Sequence, residues 1–427
     1  MQLAVPKLNS VTLHYLESCV GCGTCEHSCP FFYFDPKYGP AEKAELIRQI
    51  LRTRYTVAGR LLGPLVGAKM PKTQEELWEL LDYAYKCTNC GHCYATCTYG
   101  IDSGAMVRLL RQTLYTVGLA PTVLKRLAEF ETKKLYLGQT ELRKMWEDFL
   151  KVAEAPVGKK GANVLLFISL GDVIFSKDAL LNTIKILKRV GEDFTLPERP
   201  LGIRPPIADV VGDVSGTKEV VADVVSYIES LSPKVVVTID GGYVYSYLRF
   251  EATNILKKKF SFKVLHITEL LYEYILQGRL KLKRLNTSVA WHDPCQLGRR
   301  GGVFKEPREL LKRIVDLKEL PHNKMDTVCS GGCEVAYLTK DVYSQLSQIL
   351  GINLDPADER EKKILETTEE AYRVGIRRKM EDIKKSGARL VVTACPMSIN
   401  AIRLGGKLYG VDVEVEDIVN LVAKALE

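Results

Sequence analysis

Two short cysteine clusters with identical spacing constrain this chain of 427 residues more than any other feature. Cys19, Cys22, Cys25 and Cys29 follow C-x2-C-x2-C-x3-C, with Pro30 next, and Cys87, Cys90, Cys93 and Cys97 repeat the pattern. A disulfide framework has no reason to repeat one spacing twice, and a chain of this length does not need staples. Zinc ribbons use two C-x2-C pairs, not three ligands in x2 steps plus a fourth. Three thiolates at i, i+3 and i+6 can wrap one face of an iron–sulfur cube, while the fourth, after a longer gap, points at the other cube. The spacing therefore predicts one [4Fe–4S] cluster on Cys19, Cys22, Cys25 and Cys97, and a second on Cys87, Cys90, Cys93 and Cys29. Gly21, Gly23 and Gly91 permit tight backbone and leave N–H groups free to point at sulfur. Thr98 stands where the bacterial pattern has proline, a departure that removes no ligand.

The segment between the motifs is too long for a compact two-cluster ferredoxin, and it reads as helical. Leu46, Ile47, Ile50 and Leu51 fall at helical spacing within Ala41–Leu51, and Thr73 with Glu76 forms a capping box opening a helix to Tyr85. A further helical stretch covers roughly 104–154, and Ala155–Gly161 reads as a linker. Beyond it the pattern alternates. Strands are expected at Val164–Ile168, Val235–Ile239, Val289–Trp291 and Leu390–Thr393, and helices at Lys177–Val190 and Tyr243–Lys258. The run Lys234–Asp240 resembles Arg389–Cys395, and the strand ending at Gly171 resembles the one ending at Cys295. These echoes predict an internal duplication in which one copy has lost its cysteines. The expected fold is a multidomain α+β protein: an α-helical ferredoxin domain (1–155), a cysteine-free α/β lobe (156–280) and a second lobe carrying a further metal site (281–427).

The remaining cysteines are Cys295, Cys329, Cys333 and Cys395. Two follow expected strands and two sit in the glycine-rich Cys329-Ser330-Gly331-Gly332-Cys333, and ligand crevices form at strand C-termini in α/β sheets. Four such thiols suit a third [4Fe–4S] cluster or a tetrahedral zinc, with inert buried cysteines as the plain alternative. Nearby, His292 is read as a turn-orienting residue or a cluster modulator, and Asp293 as a turn acceptor. His92 is read as an exposed residue of the cluster loop or a modulator. Arg299 and Arg300 are an anion contact or a solvated turn. The formal charge of +8 is spread along the chain, which argues against nucleic acid as a partner. No apolar run reaches the ~18 residues of a membrane helix, and no secretory signal opens the chain, so a cytoplasmic location is expected, with any membrane contact made through a partner. Neither G-x-G-x-x-G opening a helix nor a P-loop is present, so a partner must supply flavin or nucleotide.

Over roughly residues 15–427 the chain resembles the iron–sulfur subunits that join a two-cluster ferredoxin domain to a cysteine-rich CCG domain. These include heterodisulfide reductase D-type subunits and glycolate or lactate oxidase iron–sulfur subunits. The resemblance rests on the doubled cysteine motif, on Tyr38-Gly39-Pro40, on His292-Asp293-Pro294-Cys295-Gln296-Leu297-Gly298-Arg299, on Glu306-Pro307-Arg308-Glu309-Leu310-Leu311 and on Val392-Thr393-Ala394-Cys395-Pro396. It implies an electron-transfer subunit of a larger complex, passing electrons between a flavoprotein and a quinone or other carrier. The alternative it implies is a catalytic disulfide reductase acting at the C-terminal cluster. A full CCG copy carries five thiols. Here Ser330 and Ser398 replace two of them, Cys333 stands where glycine is usual, and the copy in the first lobe has lost all its cysteines. Four thiols suit a cube better than a five-thiolate non-cubane cluster, which favours the relay.

Overall fold

A computed structural model describes residues 3–4, 8–204 and 206–427. The chain divides into two compact units, each assembled from separated stretches of sequence. The first comprises Met1–Ala128, Ala208–Val214 and Val328–Arg378, and the second Glu129–Ile207, Ser215–Thr327 and Lys379–Glu427.

The first unit is helical. Pro40 sits at the opening turn of the helix Pro40–Tyr55, where its missing N–H leaves no donor unsatisfied. Ala44, Ile47, Ile50 and Leu51 are buried along one stripe and pack against the helix Ser103–Tyr115, which buries Met106, Val107, Leu110 and Leu114. The helix Gln74–Tyr85 opens with the expected capping box between Thr73 and Glu76. It contributes Leu81, Ala84 and Tyr85 to the same core.

The second unit contains two four-stranded parallel sheets. The first sheet uses β1 (Val164–Leu166), β2 (Phe194–Thr195), β3 (Val235–Thr238) and β4 (Lys263–His266) in the order β2-β1-β3-β4. The second uses β5 (Ser288–Trp291), β6 (Asp316–Glu319), β7 (Leu390–Thr393) and β8 (Glu414–Asp417) in the order β6-β5-β7-β8. The two orders are the same pattern, so the duplication seen in the strand sequences extends to topology. β3 and β7, which carry the matching runs, hold the same place in their sheets. The inner strands are apolar and buried, with Val164, Leu165, Leu166, Val236, Val237, Val391 and Val392 all shielded.

One expected helix differs. Tyr243–Lys258 is interrupted by a π turn at Tyr247–Glu251, between helical turns at Tyr243–Ser246 and Ala252–Leu256. The extra residue per turn leaves Tyr247 and Leu248 buried. The second lobe has a π turn at Gln296–Arg300, after Cys295. The linker is also more ordered than its composition implied, because Val157 bridges to Leu196.

Leu165 is fully enclosed at the centre of the first sheet. Leu165→Ala is expected to cost about 2–5 kcal/mol, the range for a buried leucine that leaves a cavity. Urea unfolding followed by far-UV circular dichroism would read this as an earlier midpoint for the second unit.

Candidate iron–sulfur centres

In the first unit the eight N-terminal cysteines form two rings, each drawing on both motifs. One pocket is lined by Cys19, Cys22, Cys25 and Cys97. Gly21 and Gly23 have positive φ (+69° and +75°), which lets the loop turn back on itself between successive thiols. Cys97 follows the helix His92–Thr96 and is thereby carried away from its own motif. The other pocket is lined by Cys29, Cys87, Cys90 and Cys93, together with Pro30, Lys43, Thr88 and His92. Gly91, at φ +73°, makes the turn that starts the helix His92–Thr96.

The two rings differ electrostatically. Cys22 is exposed, and a hydrogen bond with the Thr24 hydroxyl (3.3 Å) lowers its thiol pKa. Burial pushes Cys25 up to about 12, with the Cys19 and Cys97 sulfurs adding to the shift. In the second ring burial pushes Cys87 up to about 11, although the cations of Lys43 and Arg111 pull the other way. Cys93 is raised further, by burial and then by Asp102. Such thiols keep their protons in the absence of metal, so ligation and proton release go together. None of the 12 cysteines is in a disulfide. Among the described residues no three His, Cys, Asp or Glu side chains close on one point for a single ion. An all-sulfur donor set of this kind fits [4Fe–4S] clusters.

Sequence patterns did not flag the residues that support the second ring. Arg111 is 1% exposed. Its Nε donates to the Ala84 carbonyl (3.0 Å), Nη2 to the Cys87 carbonyl (2.7 Å) and Nη1 to the Val210 carbonyl (3.3 Å), and the same Nη1 pairs with the Glu334 carboxylate. Burial opposes the guanidinium charge, and Glu334 together with the Cys87 and Tyr85 groups outweighs it, so the pKa is raised on balance. Lys43, also buried, donates to the Lys86 carbonyl at 2.6 Å. The available signal was a cation on the apolar face of a helix, at Leu109-Leu110-Arg111, where burial demands partners.

The other four cysteines are divided between the units. Cys329 and Cys333 belong to the first. The Cys329 sulfur lies 3.6 Å from the Thr88 hydroxyl and accepts from the Gly331 N–H (3.4 Å). Cys333 adopts a positive φ of 63°, uncommon for a residue with a Cβ. Gly375, on the helix Glu359–Ser386, lies against Pro30 and Gly331: a Cβ there would stand 3.1 Å from the Pro30 ring and 3.7 Å from the Gly331 Cα. Cys295 and Cys395 belong to the second unit, just beyond the C-terminal ends of the adjacent strands β5 and β7. The first lobe's turn Asp240-Gly241-Gly242 packs on them. Leu297 N–H donates to the Gly241 carbonyl (3.1 Å), and a Cβ on Gly241 would lie 2.5 Å from the Cys395 sulfur.

Several neighbours do more, or other, than their sequence context indicated. Asp293 is a buried hub: Arg308 reaches it with two nitrogens at 2.7 Å each, Trp291 Nε1 at 2.9 Å and Lys324 N–H at 2.7 Å. Arg299 is buried and donates to the Met325 and Thr327 carbonyls (3.1 and 2.6 Å), so it clamps backbone and does not lie in solvent. His92 is buried in the wall of the second cavity, not exposed on its loop. His292 is buried, with Nε2 3.3 Å from the Ser398 hydroxyl, and burial drives its pKa well down, leaving the ring neutral. Lys257–Lys259 are exposed at a helix end.

Residues 15–101 match the family model of the 4Fe-4S dicluster domain, and residues 289–371 that of the cysteine-rich domain CCG. Over 98% of its length the chain is 28% identical to the D-type subunit of the dihydromethanophenazine:CoB–CoM heterodisulfide reductase of Methanosarcina acetivorans, covering 96% of that protein. A shorter match, 40% identical over 107 residues, is to Hdr-like menaquinol oxidoreductase iron-sulfur subunit 2 of Archaeoglobus fulgidus. It spans 25% of this chain and 19% of that one. A probable iron-sulfur-binding oxidoreductase of Bacillus subtilis is 24% identical over 74% of this chain and 50% of its own length.

The Arg111–Glu334 pair generates a prediction. Arg111→Met leaves a buried carboxylate without its cation and is expected to cost about 3–5 kcal/mol. The double variant Arg111→Met/Glu334→Leu removes both charges and should recover most of that loss. Urea unfolding of the three proteins at equal iron occupancy measures the difference.

Proposed function

We propose that this chain, which belongs with the iron–sulfur proteins that join a 4Fe-4S dicluster domain to a CCG cysteine-rich domain, relays electrons between a flavoprotein dehydrogenase and a quinone or other carrier. The domain pair makes it an iron–sulfur redox subunit of an oxidoreductase. The observation that carries the relay reading is the pair of four-thiol rings in one helical unit. When bound, each [4Fe–4S] cluster takes up and releases a single electron. In this reading Cys19, Cys22, Cys25 and Cys97 hold one cluster, and Cys29, Cys87, Cys90 and Cys93 the other. The chain's own residues shape their surroundings. Thr24 hydrogen-bonds an exposed ligand of the first, while Lys43 and Arg111 bring positive charge to the second, where it favours the more negative, reduced form. A third cluster on Cys295, Cys329, Cys333 and Cys395 is proposed from the sequence motif. The flavin belongs to a partner protein.

A second reading has a specific observation behind it: relatives named as D-type subunits of a heterodisulfide reductase match along nearly the whole chain. Reduction of a disulfide consumes two electrons and two protons and yields two thiols. Against it stand Ser330 and Ser398, whose hydroxyls keep their protons at neutral pH and bind iron more weakly than thiolates.

Anaerobically purified protein is expected to hold about 12 iron atoms, four for each of three cubes. Stoichiometric zinc in place of the last four irons would overturn the third cluster. Cys29→Ser should abolish or alter the EPR signal of the cluster shared with Cys87, Cys90 and Cys93, whereas Cys97→Ser should affect the other. Loss of the sequence-adjacent signal in both cases would refute the exchange of fourth ligands.

The two readings separate in a turnover assay. The reduced chain should pass electrons to a viologen dye or a quinone analogue and leave low-molecular-weight disulfides at the uncatalysed rate. Robust disulfide reduction, lost in Cys333→Ala, would replace the relay with the reductase.

A further inference from the structure

Between the two cysteine motifs the helical unit carries an apolar knuckle that no part of the cluster architecture uses. The helix Pro40–Tyr55 ends at Thr56, and a short helix Val57–Leu62 and a turn Gly63–Val66 follow. Leu65 is 88% exposed, Leu61 79%, Val57 72%, and Leu62 and Tyr55 about half. Single exposed apolar residues are ordinary, but a run of this density within a dozen residues marks an interaction surface.

The knuckle is held rigidly in this exposed form. Gly59 packs so closely on the preceding helix that a Cβ would stand 2.0 Å from the Arg52 carbonyl. The Thr56 hydroxyl accepts from the Gly59 N–H (2.9 Å), and Arg60 Nε donates to the Arg54 carbonyl (2.8 Å). On the return side Ala68 N–H donates to the Gly63 carbonyl, Lys69 N–H to the Gln49 carbonyl (3.1 Å each), and Arg52 reaches the Gly67 carbonyl at 3.1 Å. Gly63 and Gly67 take positive φ, +52° and +70°, to close the turn. The backbone is satisfied and the leucines point out.

Charge identifies the occupant. From Leu46 to Gln74 the chain has Arg48, Arg52, Arg54, Arg60, Lys69 and Lys72 and no acidic residue. Glu45 pairs with Arg48 and Arg52, and Lys69 meets Glu76 at the surface. Among the described residues Arg54, Arg60 and Lys72 pair with no carboxylate, and Arg60 and Lys72 are exposed. A protein interface needs roughly 20–30 residues a side, far more than this protrusion offers. Exposed leucines in a stretch whose only charged residues are basic match the boundary between acyl chains and anionic headgroups.

We propose that the knuckle Tyr55–Gly67 seats this chain directly on an anionic bilayer, with Val57, Leu61, Leu62 and Leu65 entering the acyl boundary and the exposed Arg60 and Lys72 meeting headgroup phosphates. This departs from the expectation that membrane contact is left to a partner, and it is independent of the cluster assignment.

The test is co-sedimentation of the anaerobically prepared full chain with vesicles of phosphatidylcholine alone or with phosphatidylglycerol. Binding is expected to the mixed vesicles, to weaken as salt rises, and to fall about tenfold in Leu61→Ser/Leu65→Ser and in Arg60→Glu/Lys72→Glu. These positions are exposed, so an unchanged visible spectrum and circular dichroism confirm intact variants. Absence of binding to the mixed vesicles, or binding indifferent to both double substitutions, overturns the proposal. So does a concentration-dependent dimer in gel filtration that Leu61→Ser/Leu65→Ser abolishes, since a second copy would then be the occupant.

Discussion

A single buried guanidinium holds the helical unit together. Arg111 cannot be stripped of water without partners, and its partners come from all three stretches of chain that build the unit: Ala84 and Cys87 from the first, Val210 from the second and Glu334 from the third. The loop that carries the second thiol ring and the loop that carries Cys333 are thereby fixed by one planar group with a fixed fork of donors. Tyr85 adds a second tie, its hydroxyl donating to the Val211 carbonyl at 2.8 Å. Gly375 then sets how closely Pro30 and Gly331 approach, because the space there accepts no side chain without displacement. The geometry around the second ring follows from these few contacts more than from the cysteines themselves.

The two lobes share one strand order but differ in what stands at the corresponding strand end. Asp240 ends the strand that corresponds to the one before Cys395, and it is buried beside Asp172, with its pKa raised to about 6 by burial and then by that neighbour. His266 Nε2 donates to the Asp240 carbonyl (2.9 Å), and burial lowers the ring's pKa to about 4. A polar, hydrogen-bonded turn stands where the second lobe has a thiol, and the turn packs its glycines against Cys395 and Leu297. Two glycines without Cβ atoms give the second lobe's cysteine end the room it occupies.

What could be read from the sequence followed burial. The inner strands β1, β3, β5 and β7 are apolar runs and were legible. The strands that were not, β2, β4, β6 and β8, are all sheet edges. β2 has two residues, while Asp316–Glu319 and Glu414–Asp417 are mostly charged because one side of an edge strand faces water. The capping box at Thr73 and the doubled cysteine motif were visible because each has a fixed local spacing. Arg111, Glu334 and Lys43 were not, because their partners lie far away in sequence and no local period announces them. The π turns escaped for a related reason: one additional residue in a helical turn leaves the hydrophobic period nearly unchanged over so short a run.

The discontinuous make-up of the helical unit has a consequence for its synthesis. Arg111 and Glu334 are separated by 223 residues. At roughly 5–20 residues per second, a ribosome needs about 10–45 s to travel from one to the other. Throughout that interval the guanidinium is hydrated, the second cysteine loop lacks its anchor, and all eight thiols of the doubled motif are already outside the exit tunnel or nearing it. The second unit cannot close either until β7 and β8 emerge near the end of the chain. Contacts this distant make folding slow and leave reactive sulfur open to oxygen and to stray metals while the polypeptide is still growing. In a newborn chain of this design the contacts around the second ring are completed only once Glu334 has been made, long after the ring's own thiols.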